Sequence, residues 1–239
     1  MALVKLLKLV QSATTVRFCR PSFPTSTHGI SFVKTNTVEH PKRDKLIEPS
    51  ETAVLVVDAQ MSEFNDEKRA ERPDYVHTIE TRALPAIRKL IGASRPKGVE
   101  IIYTMIESLT KCGRDRSLDH KLSGIHVPKG SPEANMIPGI EPQEDDIVLP
   151  KTSSGVFNST NINYVLRNLG IKNVIVVGFI TDQCVDMAVR DGADLGYYMV
   201  CASDGCATYS DERHQLALKA FGGYCRVQSV DEVLATYTS

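Results

Sequence analysis

From about residue 50 onward, short apolar runs alternate with amphipathic stretches. Residues 52–58 (TAVLVVD) are continuous and largely β-branched, the pattern of a strand covered on both faces. Residues 75–91 place Val76, Ile79, Ala83, Ala86, Ile87 and Leu90 on one helical face. A second strand is predicted at 99–103 (VEIIY), then a long loop to about residue 130 and a short third strand at 146–149. The pattern continues with a helix over 159–169 closed by Gly170, a fourth strand at 173–178 (NVIVVG), and a helix through Val185, Ala188, Val189 and Ala193 closed by Gly196. A strand at 198–202, a helix at 211–221, a short strand at 225–227 and a last helix from 231 complete it. Strands separated by helical stretches of this length imply right-handed crossovers and a parallel sheet.

The expected fold is therefore a single doubly wound (Rossmann-like) α/β domain over residues 50–239, with a parallel sheet and helices on both faces. Residues 1–45 stand apart as an N-terminal extension. The first 38 residues carry Lys5, Lys8, Arg17, Arg20 and Lys34 and no acid, and Leu3, Leu6, Leu7 and Val10 share one helical face. That is the composition of a mitochondrial transit peptide; a loosely docked extension on a cytoplasmic protein is the alternative. The 239-residue chain is 42% hydrophobic, enough for a core, and its formal net charge of −1 supplies no basic field for nucleic acid. No apolar run approaches the roughly 20 residues of a membrane-spanning helix. Cys19, Cys112, Cys184, Cys201, Cys206 and Cys225 form no C-x-x-C pair, so neither a disulfide framework nor a zinc module is indicated.

In an open parallel sheet, ligands bind beyond the carboxyl ends of the strands, where strand order reverses. Asp58 closes the first predicted strand, Lys151 follows the third, and Cys184 follows the fourth where a helix begins. Unpaired N–H groups at a helix start lower a thiol pKa and can bind an oxyanion, and an ammonium such as Lys151 lowers it further. Asp58 could then take the thiol proton and return it to a leaving amine. Each residue alone has an ordinary explanation: a packed cysteine, as Cys201 within YYMVCAS is expected to be, a turn-forming aspartate, a solvated lysine. Their coincidence at three strand ends is what points to chemistry.

The segments VVDAQMSEF (56–64), LPKTSSGVF (149–157) and GFITDQCVDMAVRDGADLGY (178–197) resemble the isochorismatase-like cysteine hydrolases, over about residues 50–235. The resemblance implies a Cys-Asp-Lys triad, with Cys184 the nucleophile, Asp58 the acid/base and Lys151 the charge stabiliser. It also implies a non-proline cis peptide at Phe179–Ile180, with the Ile180 and Cys184 N–H groups as oxyanion hole. The implied reaction is hydrolysis of a small amide, ureide or carbamoyl compound through a covalent intermediate, releasing ammonia or an amine. No cofactor is implied, and a homo-oligomer is.

The nicotinamidase branch of that family adds a metal site of an aspartate and histidines after the second strand. Here that region reads YTMIESLTKCGRDRSLDH, without an Asp-x-His element after Tyr103, so no metal is expected and Asp119, His120 and His126 read as loop or surface residues. Gln60, Phe64 and Phe157 fall where the family lines its pocket. Arg114 and Arg116 could pair with a substrate carboxylate. Tyr209 and His214 follow the fifth strand, His214 as a helix-surface residue. Two other functions stay open at this stage: a non-catalytic binding or scaffold protein of the same fold, and the aspartate-dependent vinyl-ether hydrolysis of isochorismatase itself.

Overall fold

The computed structural model of the protein describes residues 42–238; the basic N-terminal segment, and with it the targeting expectation, lies outside the described residues. Among these residues six strands form one sheet: β1 (Thr52–Val57), β2 (Glu100–Ile106), β3 (Ile147–Lys151), β4 (Asn173–Phe179), β5 (Tyr198–Ala207) and β6 (Cys225–Gln228). Their order is β3-β2-β1-β4-β5-β6, with every neighbouring pair parallel. The helices are α1 (Asp66–Glu71), α2 (Pro73–Thr78), α3 (Leu84–Ser94), α4 (Leu118–Leu122), α5 (Val156–Ser159), α6 (Ile162–Asn168), α7 (Asp186–Asp194), α8 (Asp211–Phe221) and α9 (Val230–Ala235).

The chain builds outward from β1 to β3 and then returns to the other side of β1, so strand order reverses between β1 and β4. One face of the sheet packs Val54, Val56 and Ile175 beneath Val76, Ile87 and Leu90 of α2–α3 and Val233 of α9. The other face packs Leu55, Val57 and Val176 beneath Leu166 of α6, Val189 of α7 and Phe221 of α8. Every residue of β1 and β4 is buried, because alternate side chains serve opposite layers. That is why both strands read as uninterrupted apolar runs.

Several details differ from the sequence pattern. The stretch predicted as one helix over 75–91 is α2 and α3 joined by a π turn at Ile79–Ala83. β5 runs five residues past its predicted end, since its pairing with β4 jumps from Val176↔Cys201 to Gly178↔Cys206 and then resumes. The loop after β2 holds α4 and is tied down rather than free. Packing also begins before residue 50: Ile47 is fully buried and bridges to Tyr237. Gly178 has a φ of +118°, and a Cβ there would stand 2.0 Å from the Val57 carbonyl oxygen. Only glycine lets β4 approach β1 so closely, one residue before Asp58.

Candidate active site

Asp58 leaves β1 with a φ of +49°, a left-handed conformation uncommon outside glycine. Its surroundings hold it there. The Asp58 N–H donates to the Thr104 carbonyl at 3.0 Å, and Oδ1 accepts from Thr104 Oγ1 at 3.0 Å. Lys151 is the last residue of β3 and is fully buried. Two strand spacings, roughly 9.6 Å, separate β3 from β1, and the long lysine side chain spans the end of β2 to cross them. Its Nζ stands 2.7 Å from Asp58 Oδ2 and donates to Ser153 O at 2.8 Å, Ser154 O at 3.3 Å and Cys184 Sγ at 3.4 Å. Apart from the ammonium contact, Asp58 Oδ2 is buried without a hydrogen bond, so it keeps a lone pair for an incoming proton.

Cys184 lies within a π turn, Thr181–Val185, that joins β4 to α7, where a helix start was expected. The turn is fastened from outside. Thr181 Oγ1 lies 3.0 Å from His214 Nδ1 of α8, and Asp182 accepts from Thr208 Oγ1 at 2.5 Å and Arg213 Nε at 2.7 Å. The N–H groups of Gln183 and Val185 both donate to Ile180 O, at 3.0 and 3.3 Å. The Phe179–Ile180 peptide is cis.

The expected low thiol pKa is not what this environment produces. Cys184 is only 5% exposed; burial, then the Asp58 charge, push its thiol up to about 12 against the pull of Lys151. The sequence shows the start of a helix, whereas desolvation next to a carboxylate dominates in the fold. Burial also works against the Lys151 charge, but Asp58 and Cys184 outweigh it and keep the ammonium above its ordinary range. The resting site is thus a buried ion pair beside a protonated thiol.

Of the expected substrate contacts, Gln60 is already saturated. Its Nε2 donates to Ile106 O at 3.0 Å and Glu133 O at 3.2 Å, and its Oε1 accepts from Ile106 N at 2.6 Å. It clamps three segments together and has nothing left for a ligand. Arg116 is likewise turned inward, donating to Gly113 O at 3.0 Å and Ile125 O at 2.7 Å. Arg114 is exposed with its guanidinium 3.6 Å from Cys112 Sγ. The Phe157 ring stacks on Tyr197 at 6.1 Å between centroids and packs against α7, so it belongs to the helix layer. Phe64 is half-buried on the opposite core, with Arg69 5.3 Å above its ring. Tyr209 sits edge-on to Tyr75 at 5.2 Å, and the Tyr75 hydroxyl donates to Glu63 at 3.1 Å.

Of the histidines read as loop or surface groups, His120 and His214 are buried, whereas His126 is half-buried in the loop. His214 is buried, and desolvation with the Arg82 charge pushes it down to about 4. His120 is 1% exposed, and His126 Nε2 is buried beside Gly113. Among the described residues no three His, Cys, Asp or Glu side chains converge as metal ligands. A cleft of about 460 Å³ lined by Met61, Met105, Asn135 and Met136 contains none of the three central residues. Thr104 and the Ser153 and Ser154 carbonyls escaped sequence reasoning; Thr104 could have been found as the polar residue just past an apolar strand, the carbonyls could not.

The profile of the isochorismatase domain matches residues 52–232. The ureidoacrylate amidohydrolase RutB of Agrobacterium fabrum is 30% identical over 174 residues, covering 66% of this chain and 76% of that protein. Its counterpart from Pseudomonas syringae pv. syringae is 29% identical over 213 residues, covering 80% and 86%. The crystal structure of a cysteine hydrolase from Pseudomonas syringae pv. phaseolicola superimposes with a TM-score of 0.67 at 25% identity, over 80% of this chain and 93% of that one. A match spanning the whole sheet, together with an aspartate, a lysine and a cysteine gathered at its reversal point, makes this chain a member of the isochorismatase-like cysteine hydrolase family.

Proposed function

We propose that this hydrolase of non-peptide carbon–nitrogen bonds cleaves small ureido or carbamoyl compounds through a covalent intermediate on Cys184. One observation carries the reading: a fully buried ammonium 2.7 Å from a carboxylate and 3.4 Å from a thiol, at the edge where strand order reverses. The amidohydrolase activity in the names of the similar proteins supports the ureido class.

A free thiolate at pH 7 with a thiol pushed up to about 12 would cost on the order of 7 kcal/mol. The proton therefore leaves as the bond to carbon forms. Asp58 takes it from Cys184, sulfur adds to the substrate carbonyl, and the carbonyl electron pair moves to oxygen. The N–H groups of Ile180 and Cys184 receive that oxyanion, and Lys151 holds Asp58 and the sulfur in register. Asp58 returns the proton to nitrogen, the C–N bond breaks, and ammonia or an amine departs. Water then attacks the acyl-sulfur carbon, giving its proton to Asp58, and the thiol is restored when sulfur leaves and is reprotonated.

The test is ammonia and amine release over ureidoacrylate, other small ureides and primary amides. Turnover of a ureido compound that falls at least about a thousandfold in Cys184→Ala is expected. Turnover that survives Cys184→Ala but not Asp58→Asn would move the reading to aspartate-dependent hydrolysis. Absence of release from every compound would overturn it.

A further inference from the structure

α4 hangs directly on the strand that delivers the catalytic ammonium. Ser117 donates its backbone N–H to Thr152 O at 2.9 Å, one residue past Lys151, and its Oγ accepts from the His120 N–H at 3.1 Å. His120 is thereby drawn to the site's wall and is 1% exposed. Its Nε2 lies 3.4 Å from Ser154 Oγ, and Ser154 O is one of the Lys151 acceptors. Its other ring nitrogen, Nδ1, is buried with no partner. Buried polar atoms are rarely left without a hydrogen-bond partner, and one that the fold itself does not satisfy is open to water, an ion or a substrate.

We infer that His120 recognises the substrate: with Nε2–H turned to Ser154 Oγ, its Nδ1 lone pair accepts an N–H of the ureido or amide group bound at Asp58, Lys151 and Cys184. The inference rests on the ureido reading above for its ligand chemistry. Burial, then the nearby Lys151 charge, hold the imidazole below its ordinary range and so neutral at pH 7, with one nitrogen free to accept. A carbonyl needs donors, and the oxyanion hole supplies those. The N–H side of a ureido group needs an acceptor, and His120 is neutral where a second buried carboxylate would repel Asp58.

Asn and Gln separate the two ring nitrogens, since an Asn amide overlies Nδ1 and a Gln amide overlies Nε2. His120→Gln is expected to raise KM for ureidoacrylate about tenfold, and His120→Asn by no more than about threefold, while iodoacetamide alkylates Cys184 at the wild-type rate in both. The reverse order, or a changed alkylation rate in His120→Gln, would show that His120 only positions Ser154 and Lys151, and would overturn the inference. Should either variant fail to fold, nitrogen-15 histidine NMR of the Cys184→Ser protein decides: the His120 Nδ1 resonance moves upfield on adding ureidoacrylate, and an unmoved resonance overturns the inference. Movement there without wild-type turnover would leave the recognition role standing and remove the hydrolytic reading.

Discussion

Lys151→Met tests the architecture of the site without relying on turnover. The substitution keeps an unbranched apolar stem of lysine's shape as far as Cε and removes the ammonium that stands 2.7 Å from Asp58 Oδ2. Asp58 is 2% exposed, so its carboxylate would remain in the interior with Thr104 Oγ1 as its one hydrogen-bond donor from a side chain. The Ser153 and Ser154 carbonyls would lose their donor as well. Breaking a buried ion pair in this way costs about 3–5 kcal/mol. For a domain of this size each kcal/mol moves the melting temperature by about 2–4 °C, so a fall of roughly 10 °C is expected. Asp58→Asn in the same chain removes the stranded charge, and the double variant should regain at least half of the loss. Urea titration by circular dichroism, run as a double-mutant cycle, measures both. A single variant within about 1 kcal/mol of wild type, or a double variant no better than the single one, would refute the buried pair.

His214 gives a pH signature. Its folded pKa of about 4 lies below the ordinary 6.5, so the unfolded chain binds the extra proton between those values. Stability is nearly intact above pH 6.5 and falls by about 2 kcal/mol as pH drops from there to 4.5. Urea titrations at the two pH values should show a smaller drop in His214→Gln, and an unchanged drop would refute the assignment. Gly178→Ala places a Cβ 2.0 Å from Val57 O at a φ of +118°; a loss of roughly 2–4 kcal/mol is expected in the same assay. Gln60→Leu strands three backbone partners and should cost about 2–3 kcal/mol with little change in KM, whereas a substrate ligand would show the opposite. Iodoacetamide at pH 7 should label exposed Cys112, whose thiol Arg114 draws down, faster than Cys184. Mass mapping showing Cys184 labelled first would contradict the protonated resting thiol.

The sheet was readable because β1 and β4 are buried on both faces and carry no polar alternation. Asp58 and Lys151 were readable as candidates because each closes a strand, and Cys184 because it follows β4 in the turn that leads into α7. What the chain could not reveal is set by contacts between distant segments. Gln60 looks like a pocket residue from its spacing to Asp58, yet its amide is consumed by Ile106 and Glu133. His120 and His214 sit in polar stretches, and their burial depends on how α4 and α8 dock. The thiol pKa is illegible for the same reason: local sequence shows a helix start, while desolvation and the Asp58 charge arise only when distant strand ends meet.

The most direct test of the account is intact-mass spectrometry of the protein quenched during turnover of ureidoacrylate or another ureide that it hydrolyses. Wild-type protein should carry a transient added mass equal to the acyl fragment, mapped to the peptide containing Cys184 and absent from Cys184→Ala. Steady turnover with Cys184 never modified, and undiminished in the alanine variant, would contradict covalent catalysis at this sulfur.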